Sequence, residues 1–238
     1  MSKVTTILIT GFPHCGTSIL RAKLGEANDT FDQEQEHRYT ETSPPGTKFH
    51  IWKHPLVHPE FKNDLGWGNK KNIPFFKDTH IIPIIRNPYY AFSSLVTKRY
   101  LNPFKTQDHT FNDYIFTAEK WLQAKKENID KVYPIKYEEL FENNNQKLWD
   151  TVNKIGLEFP FDSFKDRTKT YKMNGKELRL DKSIDEFEGA EYRIWQMNQE
   201  FKNMNTPEKF DIPERLEKLL DESDIVKELG YKNPRWEI

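Results

Sequence analysis

The sequence predicts a three-layer α/β fold, a central parallel sheet flanked by helices. Residues 7–20 (Ile-Leu-Ile-Thr-Gly-Phe-Pro-His-Cys-Gly-Thr-Ser-Ile-Leu) pass from a short apolar run, through a loop bounded by Gly11 and Gly16, into a helical pattern. His80–Ile85 is almost unbroken in its apolar character, as expected of a strand covered on both faces. Strand-like and helix-like segments alternate along the chain, and that order implies parallel strands joined by crossover helices.

The first strand is expected over 4–10 and the first helix over 17–25. Residues 26–47 are polar and contain Thr-Ser-Pro-Pro-Gly, a loop signature. Residues 48–53 (Lys-Phe-His-Ile-Trp-Lys) alternate in polarity and give the second strand. Residues 59–78, with Gly66, Gly68 and Pro74, read as another loop. His80–Ile85 is the third strand, although Pro83 removes a backbone donor from it. Helices are predicted over 89–99 and 111–128, the second with Phe111, Tyr114, Ile115, Ala118 and Leu122 on one stripe. Residues 132–136 form the next strand, and Tyr137-Glu-Glu-Leu-Phe turns out of it. Past the Asn143-Asn-Asn break the helical signal is weaker, with later helices at 190–201 and 213–220. Neither an internal repeat nor a long linker interrupts the chain, so one domain over 1–238 is expected.

The formal net charge of −1 supplies no global basic field for nucleic acid. A single cysteine precludes an intramolecular disulfide framework and a Cys-rich zinc site. The first apolar run, residues 7–9, is too short for a signal peptide or a membrane span. The expectation is a soluble, cytoplasmic chain with no membrane partner.

Strand, glycine loop and helix start together make an anion cradle. The loop N–H groups turn inward, and the helix N-terminus adds a partial positive charge. The spacing from Gly11 to Gly16 equals that of the nucleotide-phosphate loop G-x-x-x-x-G-K-[ST]. Thr17 stands where that loop carries its lysine. The sequence therefore keeps the P-loop type of fold, as in the nucleoside-triphosphate hydrolases, without the residue that reaches the outer phosphates of ATP or GTP.

A second anion site is expected where Arg86-Asn-Pro-Tyr-Tyr-Ala-Phe-Ser-Ser leaves the third strand. Ligands of open α/β sheets collect beyond the carboxyl ends of strands. Pro88 is placed to open a helix, and Ser94 lies about two turns along it. The planar donor fork of arginine and a serine hydroxyl suit a dianion. Two such sites together suit a nucleotide phosphorylated at both its 5′ and 3′ ends.

In these residues the chain resembles the sulfotransferases that use 3′-phosphoadenosine 5′-phosphosulfate (PAPS). The run Gly11-Phe-Pro-His-Cys-Gly-Thr-Ser is similar to the family's 5′-phosphosulfate loop, x-P-[KR]-S-G-T-[TS]. Arg86-Asn-Pro with Ser94 is similar to its 3′-phosphate motif, R-[ND]-P with a serine eight residues after the arginine. Pro134-Ile-Lys-Tyr-Glu-Glu-Leu resembles a segment whose tyrosine, here Tyr137, lies near the adenine. Trp52-Lys-His-Pro-Leu resembles the segment that carries a catalytic histidine. The similarity lies in patches over residues 5–140, and the family's distal R-K-G loop is not evident.

The resemblance implies that Pro13, His14, Cys15, Gly16, Thr17 and Ser18 hold the 5′-phosphosulfate, through the amides of 14–18 and the hydroxyls of Thr17 and Ser18. Arg86 and Ser94 would hold the 3′-phosphate. His14 replaces the family's Lys or Arg, the cation that balances charge on the bridging oxygen. A protonated histidine can do this, since its reference pKa of about 6.5 rises beside a dianion. Cys15 reads as a small loop filler and not a nucleophile. Acceptor deprotonation needs a base, and His54 is the candidate, with Lys53 balancing charge. His50, His54 and His58 have a helical metal-ligand spacing, but Pro55 and Pro59 disfavour a helix there, so no metal is expected. The implied reaction moves a sulfuryl group from PAPS to a hydroxyl or amine of a small-molecule or glycan acceptor, with PAP as product. A P-loop-type small-molecule kinase with a degenerate loop, or a nucleotide-binding module without catalysis, is the alternative.

Overall fold

The computed structural model describes residues 4–33, 43–55, 79–97, 107–166, 168–173, 176–177, 197–198, 200–205 and 211–236. Its centre is a five-stranded sheet of β1 (Thr5–Gly11), β2 (Thr30–Asp32), β3 (Phe49–Pro55), β4 (His80–Ile85) and β5 (Ile135–Lys136). The order is β2-β3-β1-β4-β5, and every pairing is parallel. The predicted α/β class and parallel central sheet are thus found. β1 lies between β3 and β4, so its carboxyl end opens where the strand order reverses, the place where such sheets take ligands.

Helices cover both faces: α1 (Thr17–Leu24), α2 (Pro88–Thr97), α3 (Gln107–Glu127), α4 (Gln146–Ile155), α5 (Glu214–Glu222) and the short α6 (Asp224–Glu228). Strand alternation sorts the core. Ile7, Ile9, Ile51, Ile82 and Ile84 pack with Leu20 and Leu24 of α1. Leu8, Trp52 and Ile81 form a second cluster with Ala124 of α3 and Val132. The predicted stripe of α3 is in place, with Tyr114, Ala118 and Leu122 buried beside Trp121. No helix among the described residues is long and apolar enough to cross a membrane.

The strand expected over 132–136 shrinks to Ile135–Lys136, preceded by a single bridge between Val132 and Ile81. Pro134 interrupts it. The N–H of Ile81 donates to the Lys131 carbonyl, and the Ile81 and Ile85 carbonyls accept from Tyr133 and Tyr137. Odd-numbered residues of β4 therefore face β5, and Pro83 faces the gap in that ladder. Its missing donor costs little there, which explains a proline in an interior strand.

The polar stretch 26–47 is not all loop, because β2 lies within it. Three residues carry too little pattern to be seen; tertiary contacts define this strand. Phe31 meets the His50 ring at 5.0 Å, and Asp32 accepts from the Tyr171 hydroxyl at 2.7 Å. The helix expected over 89–99 is described as Pro88–Thr97, and that over 213–220 as Glu214–Glu222. Of the helix expected over 190–201, Glu200 and Phe201 are non-helical, and most of the rest lies outside the described residues. The loop expected over 59–78 also lies outside the described residues. A two-stranded antiparallel pair, β6 (Lys172–Met173) and β7 (Lys176–Glu177), was not expected.

His50 is buried against Gln33, its Nε2 lying 3.0 Å from the amide oxygen. Burial pushes its pKa below the ordinary histidine value, and burial does the same at His80. The unfolded chain then binds these protons more readily than the folded one. Their stabilising contribution is complete above about pH 6.5 and is lost as pH falls through the lower folded values. Melting temperature should therefore decline on acidification from pH 7 to 5, and His50→Gln should flatten that decline. An unaltered slope in scanning calorimetry of the variant would contradict this account.

Candidate functional site

The loop between β1 and α1 is built by backbone constraints. A side chain at Gly11 would run into the Ile84 carbonyl of β4. Gly16 has φ 89°, and a Cβ there would overlap the Tyr137 ring. His14, between them, also lies in the left-handed region with φ 64°, a conformation that costs a non-glycine residue about 1–2 kcal/mol. Its neighbours hold it there. Arg86 Nη1 donates to the His14 carbonyl at 3.1 Å, and His14 Nδ1 lies 2.8 Å from Ser94 Oγ. The structure thus brings Arg86 and Ser94 together, both on residue 14.

Gly16 precedes the first turn of α1, which carries no side-chain cap and no acidic residue. The N–H groups of Gly16, Thr17 and Ser18 have no partner among the described residues, so the helix start presents unmatched donors toward the loop. Two of the residues assigned to the cradle do not supply an amide to it. Pro13 has no N–H, and the Cys15 N–H is spent on the Phe12 carbonyl at 3.2 Å. The Cys15 side chain points into the core, where burial pushes its thiol up to about 12. A thiol that stays protonated is no nucleophile, in keeping with its reading as a filler.

Alternation along β3 separates Lys53 from His54. Lys53 lies on the α1 side, and its Nζ donates to Ser18 Oγ at 2.7 Å. His54 shares a face with Trp52, whose ring lies 5.3 Å away, and is 2% exposed. In the register, His54 stands opposite Thr10, next to the start of the loop. Lys53, rather than His54, is therefore the member of this pair that reaches the helix start. His50 sits four residues earlier on the same extended strand, about 13 Å away, too far to share a metal ion with His54. His58 lies outside the described residues.

At the β4 end, Asn87 caps α2. Its side-chain oxygen accepts from the Tyr89 N–H at 3.1 Å, and Pro88 occupies the first helical position. The Arg86 carbonyl accepts from the buried Tyr114 hydroxyl at 2.9 Å. The Arg86 guanidinium lies 4.6 Å from the centre of the Tyr137 ring, and its Nε donates to Asn205 Oδ1 at 2.7 Å. Tyr137 is 2% exposed, and its hydroxyl accepts from the Met204 N–H at 3.1 Å. Burial raises its pKa, so it stays a neutral phenol. Tyr137 thus lies between the loop and Arg86 and packs against both.

Sequence reasoning missed Asn205 and Glu138, which join this group. Asn205 stands 119 residues from Arg86 in a segment with no motif. Glu138 lay inside a quoted run, but an acidic residue gives no cue for an anion site.

No protein-family model and no curated protein sequence matches the chain. Among solved structures it is similar to the sulfotransferase domain from the curacin biosynthetic pathway, with 12% identity and a TM-score of 0.58 over 98% of this chain and 99% of that one. It is also similar to the sulfotransferase domain of the Synechococcus PCC 7002 olefin synthase, with 12% identity and a TM-score of 0.58 over 98% and 97% of the two chains. The fold is that of these sulfotransferase domains, as the sequence resemblance implied.

Gly16→Ala tests the packing of the loop. The left-handed backbone and the overlap with Tyr137 together should cost about 2 kcal/mol or more. Urea denaturation should show the midpoint falling at constant slope; a midpoint unchanged from the parent would mean that the ring does not fix the turn.

Proposed function

We propose that the chain is a PAPS-dependent sulfotransferase acting on a hydroxyl or amine of a small-molecule or glycan acceptor. The observation that carries this reading is the contact of Lys53 Nζ with Ser18 Oγ. Ser18 occupies the [ST] position of the phosphate loop, whose hydroxyl serves Mg²⁺ in nucleotide hydrolases and kinases. Here that oxygen faces an ammonium supplied by β3. A fixed monovalent cation in that position suits a sulfonate, which carries less charge than a terminal phosphate. The sulfotransferase fold and the convergence of Arg86 and Ser94 on the loop support the same reading.

In this reading the N–H groups of Gly16, Thr17 and Ser18 hold the 5′-phosphosulfate, with the Thr17 and Ser18 hydroxyls beside them. Arg86 and Ser94 hold the 3′-phosphate, and Tyr137 sets the spacing between the two sites. PAPS supplies an activated sulfuryl group. His54, at the end of β3 beside the loop, would take the acceptor's proton as the new S–O or S–N bond forms and the S–O bond to the 5′-phosphate breaks. Lys53 and protonated His14 stabilise the charge that collects on the departing phosphate oxygen. Positioning and charge stabilisation of this kind supply most of the catalysis in such transfers.

PAP should bind without Mg²⁺, and ATP poorly, in a calorimetric titration; the opposite order favours the kinase alternative. PAP binding without PAPS turnover favours a non-catalytic module. His54→Ala should lower kcat by about 10²–10⁴-fold with PAP affinity retained, and normal turnover would remove it as the base. Because His14 acts when protonated, activity should fall as pH rises. His14→Lys should keep turnover and flatten the alkaline decline, whereas an inactive protein that still binds PAP would show that the loop cation is not used in this way.

A further inference from the structure

Building on the sulfotransferase reading, we propose that Glu138 and Asn205 are positioning residues that fix the Arg86 guanidinium for the 3′-phosphate of the donor nucleotide. Asn205 Oδ1 accepts from Arg86 Nε at 2.7 Å, and Asn205 Nδ2 donates to Glu138 Oε1 at 2.9 Å. The same carboxylate oxygen accepts the Asn87 N–H at 3.0 Å, and Oε2 accepts from the Tyr231 hydroxyl at 3.1 Å. One carboxylate therefore ties together the residue after Arg86, the amide that grips Arg86, and a tyrosine from the far end of the chain.

A carboxylate beside an anion site opposes the anion, so its presence calls for a reason. Direct pairing with Glu138 would occupy the arginine fork and neutralise it. Interposing the neutral Asn205 amide avoids this, because only Nε is used. The ring of Tyr137 covers one face of the guanidinium, and Nη1 donates to the His14 carbonyl. Nη2 has no partner among the described residues, so the outer edge of a largely buried Arg86 keeps donors to offer. The segment 203–205 is anchored by the Met204 N–H, which donates to the Tyr137 hydroxyl, and is turned locally by the Asn205 N–H donating to Asn203 Oδ1 at 2.9 Å.

The test compares binding of adenosine 3′,5′-bisphosphate with that of adenosine 5′-monophosphate, which lacks the 3′ group. Wild type should prefer the bisphosphate. Asn205→Ala and Glu138→Ala should each weaken the bisphosphate by about tenfold or more, as for a lost contact to a charged group, and leave the monophosphate within about twofold. Glu138→Gln keeps an acceptor oxygen for Asn87 and Asn205 and should restore the preference. The double alanine variant should lose no more than the weaker-binding single one, because both act through one network. Asn205 is half-buried in an irregular segment outside any helix or strand, so its variant should fold even if Glu138→Ala does not. An unchanged preference in Asn205→Ala, or additive losses in the double variant, would overturn the proposal. No preference in wild type would instead remove the underlying nucleotide reading, and the proposal with it.

Discussion

The stack of Gly16, Tyr137 and Arg86 sets the geometry on which the candidate site depends. Tyr137 leaves the end of β5 with its N–H donating to the Ile85 carbonyl, so its position is fixed by the sheet. One part of its ring takes the space that a side chain at position 16 would need. The same ring lies against the guanidinium at the end of β4. The turn of the loop, the start of α1 and the arginine are thereby placed by one rigid aromatic group. A change in any one of the three has to move the other two.

The same placement requires α1 to be fixed along its length, and buried charges do this. Arg21 Nε lies 3.4 Å from the fully buried Asp32 carboxylate, and Arg21 Nη1 donates to the Gln33 carbonyl at 2.8 Å. Lys23 Nζ donates to the Asp166 carbonyl at 2.7 Å and lies 3.1 Å from Glu26. Buried ion pairs contribute little net stability, but leaving one partner unmatched is costly. They therefore favour the orientation of α1 that keeps these partners together. The unmatched amides at its start then face the loop.

Much of this was legible in the sequence because local pattern carried it. The glycine spacing at 11 and 16, the apolar run of β4 and the Asn-Pro cap after Arg86 each encode their own structure within a few residues. The placements of Lys53 and Asn205 were not encoded in that way. Strand alternation decides which of Lys53 and His54 reaches α1, and a motif written as adjacent letters does not state that parity. Asn205 is brought to Arg86 by the packing of a distant segment, which no local spacing records. β2 was missed for the same reason, since Phe31 and Asp32 owe their positions to His50 and Tyr171.

On the proposed reading, the lysine missing from the loop is offset by where Lys53 stands. An ammonium on a loop or helix surface samples many rotamers, whereas that of Lys53 leaves a buried strand position and ends on a hydroxyl at the helix start. Its side-chain entropy is already spent in folding. At about 4 Å and an effective dielectric near 20, one such charge interacts with a unit anion by about 4 kcal/mol. The N-terminal partial charge of α1 adds to this from the same direction. In that reading, a donor that presents a singly charged sulfonate needs less than a terminal phosphate does, and these two sources together with His14 would supply it. On the proposed reading, the loop can carry histidine because the strand beside it carries the permanent charge.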